Sequence, residues 1–255
     1  MHFLYRLSAI TSLFLTIISC TAARKAADTN INGLRFIGEY TIPSDQLFKG
    51  TTVGGLSGID YDPKKDVYYF ISDDRSDINP IRFYTAKIRI AANGIEDVKF
   101  TTVTNLLQKT GLPFYNRKQN TLGVPDPEGI RINHITQSLA WVSEGERTVN
   151  KEKTVLTDPA VIVSRTNGEW TDSFPLPANF RMMATDTGPR NNEALEALAF
   201  STDFKKLLVG LEGPLYEDGP RAGLFDSTGW VRICQYDAVT KKLEAQWAYQ
   251  IDPVA

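Results

Sequence analysis

One three-residue pattern recurs along this chain and constrains any fold the chain can adopt. Ser57-Gly58-Ile59, Glu128-Gly129-Ile130 and Glu196-Ala197-Leu198 each open an apolar run. Each is followed 16 residues after its first position by an acid: Asp73, Glu144 and Glu212. The copies start 71 and 68 residues apart. Every interval holds four short runs with the alternation and β-branched or aromatic content of strands. A period of that length in an all-strand context belongs to propeller blades rather than to a short-repeat solenoid.

The strands are predicted at 56–61, 67–72, 82–88 and 98–103 in the first copy. The second copy gives 128–132, 138–143, 160–164 and 170–176, and the third 195–200, 206–211, 230–236 and 243–251. Tight turns at 62–66, 133–137 and 201–205 join first to second strands, with Asp, Asn, Ser and Gly supplying turn chemistry nearby. The long connections, 106–127, 145–159, 177–193 and 213–229, all fall on the other side. In an up-and-down blade alternate connections lie on opposite faces, so one face is trimmed and the other elaborated, and function concentrates on elaborated loops. The expected fold is all-β: an incomplete β-propeller of about three four-stranded blades, preceded by an outer strand at 34–42. Three blades fall short of the ~4–8 that close a ring, so the chain reads as an incomplete copy of a longer protein. The alternative, an open array completed by dimerisation, leaves long unprotected edges.

Residues 1–19 are a short basic stretch followed by an apolar one, the pattern of a secretory signal and too short to span a bilayer. Ile17-Ile18-Ser19-Cys20 is similar to a lipoprotein cleavage site, which makes Cys20 the lipidated residue, 20–33 a tether and 34–255 the propeller domain. Ordinary signal cleavage near Ala22 or Ala23 is the competing reading. The protein is thus expected in the cell envelope, touching the membrane through a lipid anchor only. Cys20 and Cys234 are the only cysteines, so there is no disulfide framework. A hydrophobic core must carry stability, and about 230 residues after the leader can bury one. A net charge of −2 argues against a nucleic-acid partner.

In a hairpin the start of the first strand neighbours the end of the second. Glu128 should therefore meet Glu144, Glu196 should meet Glu212, and Ser57 should lie beside Asp73 and Asp74, all on the elaborated face. Carboxylates that close raise one another's pKa unless a cation intervenes. A hard divalent ion suits an all-oxygen set, and Ca²⁺ suits its flexible geometry. The plainer alternative is a set of solvated acids capping loop amides. Arg75 and Arg147, just past two of the acidic strand ends, are placed to hold an anionic group. Arg181, Arg190 and Arg221 lie on long loops of the same face, and Glu217 and Asp218 could add ligands. His134 is the one histidine after the leader, and a turn on the trimmed face leaves a Ser-His-Asp arrangement without a base. Any hydrolase chemistry would fall to water activated by a metal and a carboxylate.

The stretches Gly55 to Asp62, Ile71 to Arg75, Asp126 to Ile130, Glu193 to Phe200 and Glu212 to Leu215 resemble the phytase-like family, also described as "esterase-like activity of phytase". The resemblance runs from about Leu34 to the end. It implies a β-propeller larger than this chain and hydrolysis of phosphoric or carboxylic esters of small anionic or ester substrates, with Ca²⁺. Ser57 departs from the glutamate of the other two copies and breaks any symmetric cage. The reading combines Glu128 and Glu196 as catalytic carboxylates, Asp73, Asp74, Glu144 and Glu212 as metal ligands, and Arg75 and Arg147 as substrate-binding residues. The alternatives are a non-catalytic, envelope-anchored propeller that binds a ligand or partner, and an inactive truncated copy.

Overall fold

The computed structural model describes residues 33–119, 123–224 and 228–254. The leader, Cys20 and the tether up to residue 32 lie outside the described residues. Residues 33–36 belong to a separate N-terminal unit, and the chain from Ile37 onward forms one compact unit.

A two-residue hairpin, β1 (Leu47–Phe48) with β2 (Thr51–Thr52), precedes three four-stranded antiparallel sheets. The first blade is β3 (Leu56–Asp62), β4 (Val67–Ser72), β5 (Arg82–Ala91) and β6 (Gly94–Asn105), paired in that order. The second is β7 (Pro127–Asn133) and β8 (Ser138–Ser143), then, after an inserted hairpin of β9 (Glu146–Val149) and β10 (Thr154–Thr157), β11 (Ala160–Arg165) and β12 (Trp170–Phe174). The third is β13 (Leu195–Phe200), β14 (Lys206–Leu211), β15 (Trp230–Asp237) and β16 (Leu243–Gln250). These are propeller blades, and each forms from the strands that alternation predicts.

Two sequence expectations fail. Residues 34–42 form no strand. Leu34, Phe36 and Tyr40 are exposed, while Ile42 packs on blade 1. Residues 145–159, read as a loop, contain the β9–β10 hairpin, whose four-residue strands are too short to show a period.

The trimmed face is built by local side-chain caps. Asp62 Oδ1 accepts the Lys64 amide, Asn133 Oδ1 accepts those of Ile135 and Thr136, and Ser201 Oγ accepts that of Lys206. Short polar side chains bonded two to five residues on replace a turn's missing backbone partners.

The inner strands set the spacing between blades, with β7 seated between β3 and β13. A Cβ at Gly58 would lie 2.8 Å from the Glu128 carbonyl oxygen, and one at Gly129 would lie 2.7 Å from that of Glu196. Glycine here serves close approach of two backbones. Outward of that contact the seam between blades 1 and 2 is filled by Tyr69, Ile71 and Phe83 against Ile130, Leu139 and Trp141. The seam between blades 2 and 3 is filled by Val142, Val161 and Phe174 against Leu198, Leu207 and Val209. Burying each such large side chain contributes about 1.5–3 kcal/mol. Trp141 keeps its indole N–H satisfied by donating to Ser164 Oγ at 3.0 Å.

Candidate functional site

The three copies of the repeat share one backbone lock. The Asp73 amide donates to the Gly55 carbonyl at 2.7 Å, that of Glu144 to Asp126 at 3.0 Å, and that of Glu212 to Ala194 at 2.8 Å. In every copy the acceptor lies two residues before the first position of the repeat. The same position coincides with a break in register: between Leu56 and Gly58, between Pro127 and Ile130, and between Leu195 and Ala197. A bulge of this kind takes a residue out of the alternation and re-aims its side chain. Ser57, Glu128 and Glu196 are the residues so re-aimed.

The carboxylates converge as a result. Ligand oxygens of Asp126, Glu128 and Glu144 lie within 4.8 Å of one another, and so do those of Glu144, Glu196 and Glu212. Glu144 belongs to both groups and is 1% exposed, with Oε1 accepting the Ala194 amide at 2.9 Å. Burial, reinforced by Glu196, Asp126, Glu144 and Asp73, pushes Glu128 up to about 9. Burial also raises Glu144 to about 7 against the Ala194 hydrogen bond. Asp126 rises to about 6 by burial, with Arg75 and Arg117 opposing and Asp73 adding to it. Glu196 is raised by burial and then by Glu212, and Glu212 by burial and then by Glu193. The expected neighbours therefore do come together, with Asp73 close enough for its charge to be felt at Asp126, Glu128 and Glu196.

Asp74 points elsewhere. Its carboxylate accepts the amides of Asp77, Ile78 and Asn79 and pairs with buried Arg82 at 2.8 Å. Desolvation opposes its ionisation, but those amides and the guanidinium hold it below the ordinary aspartate range. Consecutive strand-end residues face opposite ways, so only one of Asp73 and Asp74 can join the cluster.

The arginines divide similarly. Arg75 borders the cluster, pairing with Asp126 at 3.3 Å and with buried Glu146 at 2.9 Å. Arg117 reaches the same Glu146 at 3.7 Å from the 106–127 loop. Arg147 is instead spent on loop structure: it donates to the carbonyls of Met183, Ala184 and Thr185 and lies 4.9 Å from the centre of the Tyr216 ring. Arg190 lies 4.5 Å from the same ring centre and donates to the carbonyls of Pro214, Leu215 and Gly219. Arg221 pairs with Glu193. Glu217 accepts the Gly188 amide and Asp218 pairs with Arg232, so both hold loops rather than face the cluster. His134 packs on Phe204, at the far end of the β7–β8 hairpin from Glu128 and Glu144. Sequence reasoning missed Asp126, Glu146 and Arg117 as members of the site. Asp126 had a signal, since it stands two residues before Glu128, just ahead of β7.

The donor set is one a hard divalent cation fits. Among the described residues both groups offer carboxylate oxygen alone, without nitrogen or sulfur. Oxygens on opposite sides of Ca²⁺ stand about 5 Å apart, twice a bond of about 2.3–2.6 Å, so oxygens that all lie within 4.8 Å of one another can share one such ion.

The chain matches the phytase-like family, described as esterase-like activity of phytase, over residues 51–255. It belongs to that family. The chain is thereby a propeller of the phytase-like family. No curated protein matches the sequence. Among solved structures, a periplasmic gluconolactonase of Pseudomonas aeruginosa is similar with a TM-score of 0.37 and 10% identity over 80% of this chain and 60% of its own. Hydrazine synthase of Kuenenia stuttgartiensis gives 0.34 and 9% over 76% and 54%. The chain thus spans less than two thirds of the length of either structure.

Proposed function

We propose that this propeller hydrolyses phosphoric or carboxylic esters of small anionic molecules with the assistance of Ca²⁺. One observation carries the reading: two triads of carboxylates share the buried Glu144, and their oxygens are spaced for a cation. Such an ion neutralises the acids when bound and polarises an ester oxygen. Glu144 and Glu212, members of one group, hold it, with Asp73 and Asp126 adding charge, while Asp74 and Arg147 are left out because each is committed to loop structure. Glu128 and Glu196, on their bulges, orient water and take up its proton. Arg75, clamped between Asp126 and Glu146, keeps its guanidinium directed at the rim of the site and binds the anionic group of the substrate. The leader and Cys20 place this activity in the cell envelope, a reading that rests on sequence alone.

Phosphatase and esterase assays with and without chelator test the proposal. Chelation should abolish turnover. Glu144→Gln should remove both the activity and the rise in Tm that Ca²⁺ gives to a native-state binder, and Glu196→Gln should lower kcat by about 100-fold or more. Turnover indifferent to chelator and to both substitutions would sink it.

A further inference from the structure

The two seams between blades are filled unequally toward the trimmed face. Tyr69 and Ala140 each stand 12 residues after the first position of their repeat, and each faces the next blade. With their neighbours in the ladder, blade 1 offers Tyr69, Ile71 and Phe83 where blade 2 offers Ala140, Val142 and Val161. Every step is a loss of volume, and the largest falls at Ala140. A cavity of about 500 Å³ opens there between blades 2 and 3. Ala140, Val163 and Phe174 line one side of it, and Phe200, Phe204 and Val239 the other. Packed interiors leave few gaps wider than a water molecule, whereas small-molecule sites span about 300–1,000 Å³. Phe204 holds left-handed backbone at φ 58°, which bulky residues rarely adopt, and such strain gathers at ligand sites. Its ring is braced by Phe200 at 5.5 Å and by His134 at 4.4 Å between ring centres. Lys241, in the turn from β15 to β16, pairs with Asp172 at 2.8 Å and lies 6.0 Å from the centre of the Phe174 ring. Its side chain is 25% exposed, against 52% for Asp172, 56% for Asp203 and 74% for Lys205, the other charged groups of the lining. The charge most withdrawn from water is therefore positive.

We propose that this cavity binds a small molecule with an aromatic body and one anionic group. The ring lies among Phe174, Phe200 and Phe204, and the anion is held by Lys241. Aromatic walls favour offset or edge-on contact with a ring, and an ammonium facing a carboxylate or sulfonate gives a charge-assisted hydrogen bond. Asp172, more than half exposed, gives up the ammonium at little cost because water receives its carboxylate. Asn133 and Ser138 of the lining stand at the far end of the β7–β8 hairpin from Glu128 and Glu144. The site is thus separate from the acidic mouth, and the proposal holds whether or not the mouth hydrolyses anything.

Titration calorimetry of the purified chain with naphthoate, and with neutral naphthol as its uncharged counterpart, tests it. Naphthoate should bind one to one with a Kd of about 1 mM or below. Ala140→Tyr gives blade 2 the residue of blade 1 and fills the cavity from within. It should weaken naphthoate at least tenfold while the far-UV circular dichroism stays unchanged. Lys241→Gln should weaken naphthoate about tenfold and leave naphthol as it was. Naphthoate that never saturates the chain, undiminished binding to a folded Ala140→Tyr chain, or a Lys241→Gln chain that does not separate the two probes would each overturn the proposal. Should Ala140→Tyr fail to fold, the first and third outcomes still decide.

Discussion

The seam between blades 1 and 2 and the seam between blades 2 and 3 are built on the same glycine contact and the same amide lock, yet they carry charge differently. At the first, Asp126 has two guanidinium groups close by, Arg75 and Arg117, which hold its rise to about 6. Glu128, pushed by burial and then by Glu196, Asp126, Glu144 and Asp73, reaches about 9. At the second, Glu196 is raised with no opposing cation, and Glu212 has only Arg221 working against its rise. Backbone geometry is thus a property of the repeat, whereas proton affinity is a property of which loop delivers an arginine. The difference assigns anion binding to the first seam and leaves the second for cation binding alone.

The widest effect should come from attacking what the seams share. Gly129→Val places a methyl-bearing carbon against the Glu196 carbonyl and the Leu198 side chain, and backbone cannot yield as a side chain can. Urea unfolding should show a loss of about 3 kcal/mol or more. Gly210→Ala is the control: its Cβ would meet Ala197 at an ordinary 3.5 Å, and stability should change by less than about 0.5 kcal/mol.

An intermediate effect should separate the seams by pH. The folded pKa values of Glu128, Glu144 and Asp126 are raised, so the folded protein binds more protons than the unfolded one above the ordinary carboxylate range. Without divalent cation, stability is fully present below about pH 4. It should fall as pH rises through about 6 and 7 toward about 9. Ca²⁺ must displace those protons, so its affinity should rise over the same window and flatten the decline. Calorimetric scans from pH 5 to 9, with Ca²⁺ and with chelator, would show this, and a cation-free Tm that climbs with pH would contradict it.

The smallest effect should distinguish two arginines that look alike in sequence. Arg147→Gln removes donors from three loop carbonyls and should lower Tm by a few degrees, about 1 kcal/mol, with KM unchanged. Arg75→Gln should raise KM for anionic esters, and because it strips the partner from buried Asp126 and Glu146 its Tm should fall as well, so it is KM that tells the two apart.

Strand positions, blade count and the pairing of Glu128 with Glu144 and Glu196 with Glu212 were legible because alternation and a fixed offset are both one-dimensional signals. The bulges were not: a residue that leaves the ladder looks in sequence like one that stays. Asp73 and Asp74 adjoin in sequence but serve different structures, and only the Asn79 turn and Arg82 reveal which does which. Arg117 comes from a connection without period, and Glu146 opens a strand too short to announce itself. The segment 34–42 shows the converse error, since alternation states what a strand would look like and not whether an edge awaits it.

The three bulges have a consequence for how this scaffold can change. Each places its chemistry on a residue the ladder does not need, so the pairing on either side continues in step regardless of what that residue is. Serine at one position and glutamate at two already illustrate the freedom. Reactivity at the mouth can therefore be rewritten, one spare residue at a time, without renegotiating the architecture that presents it.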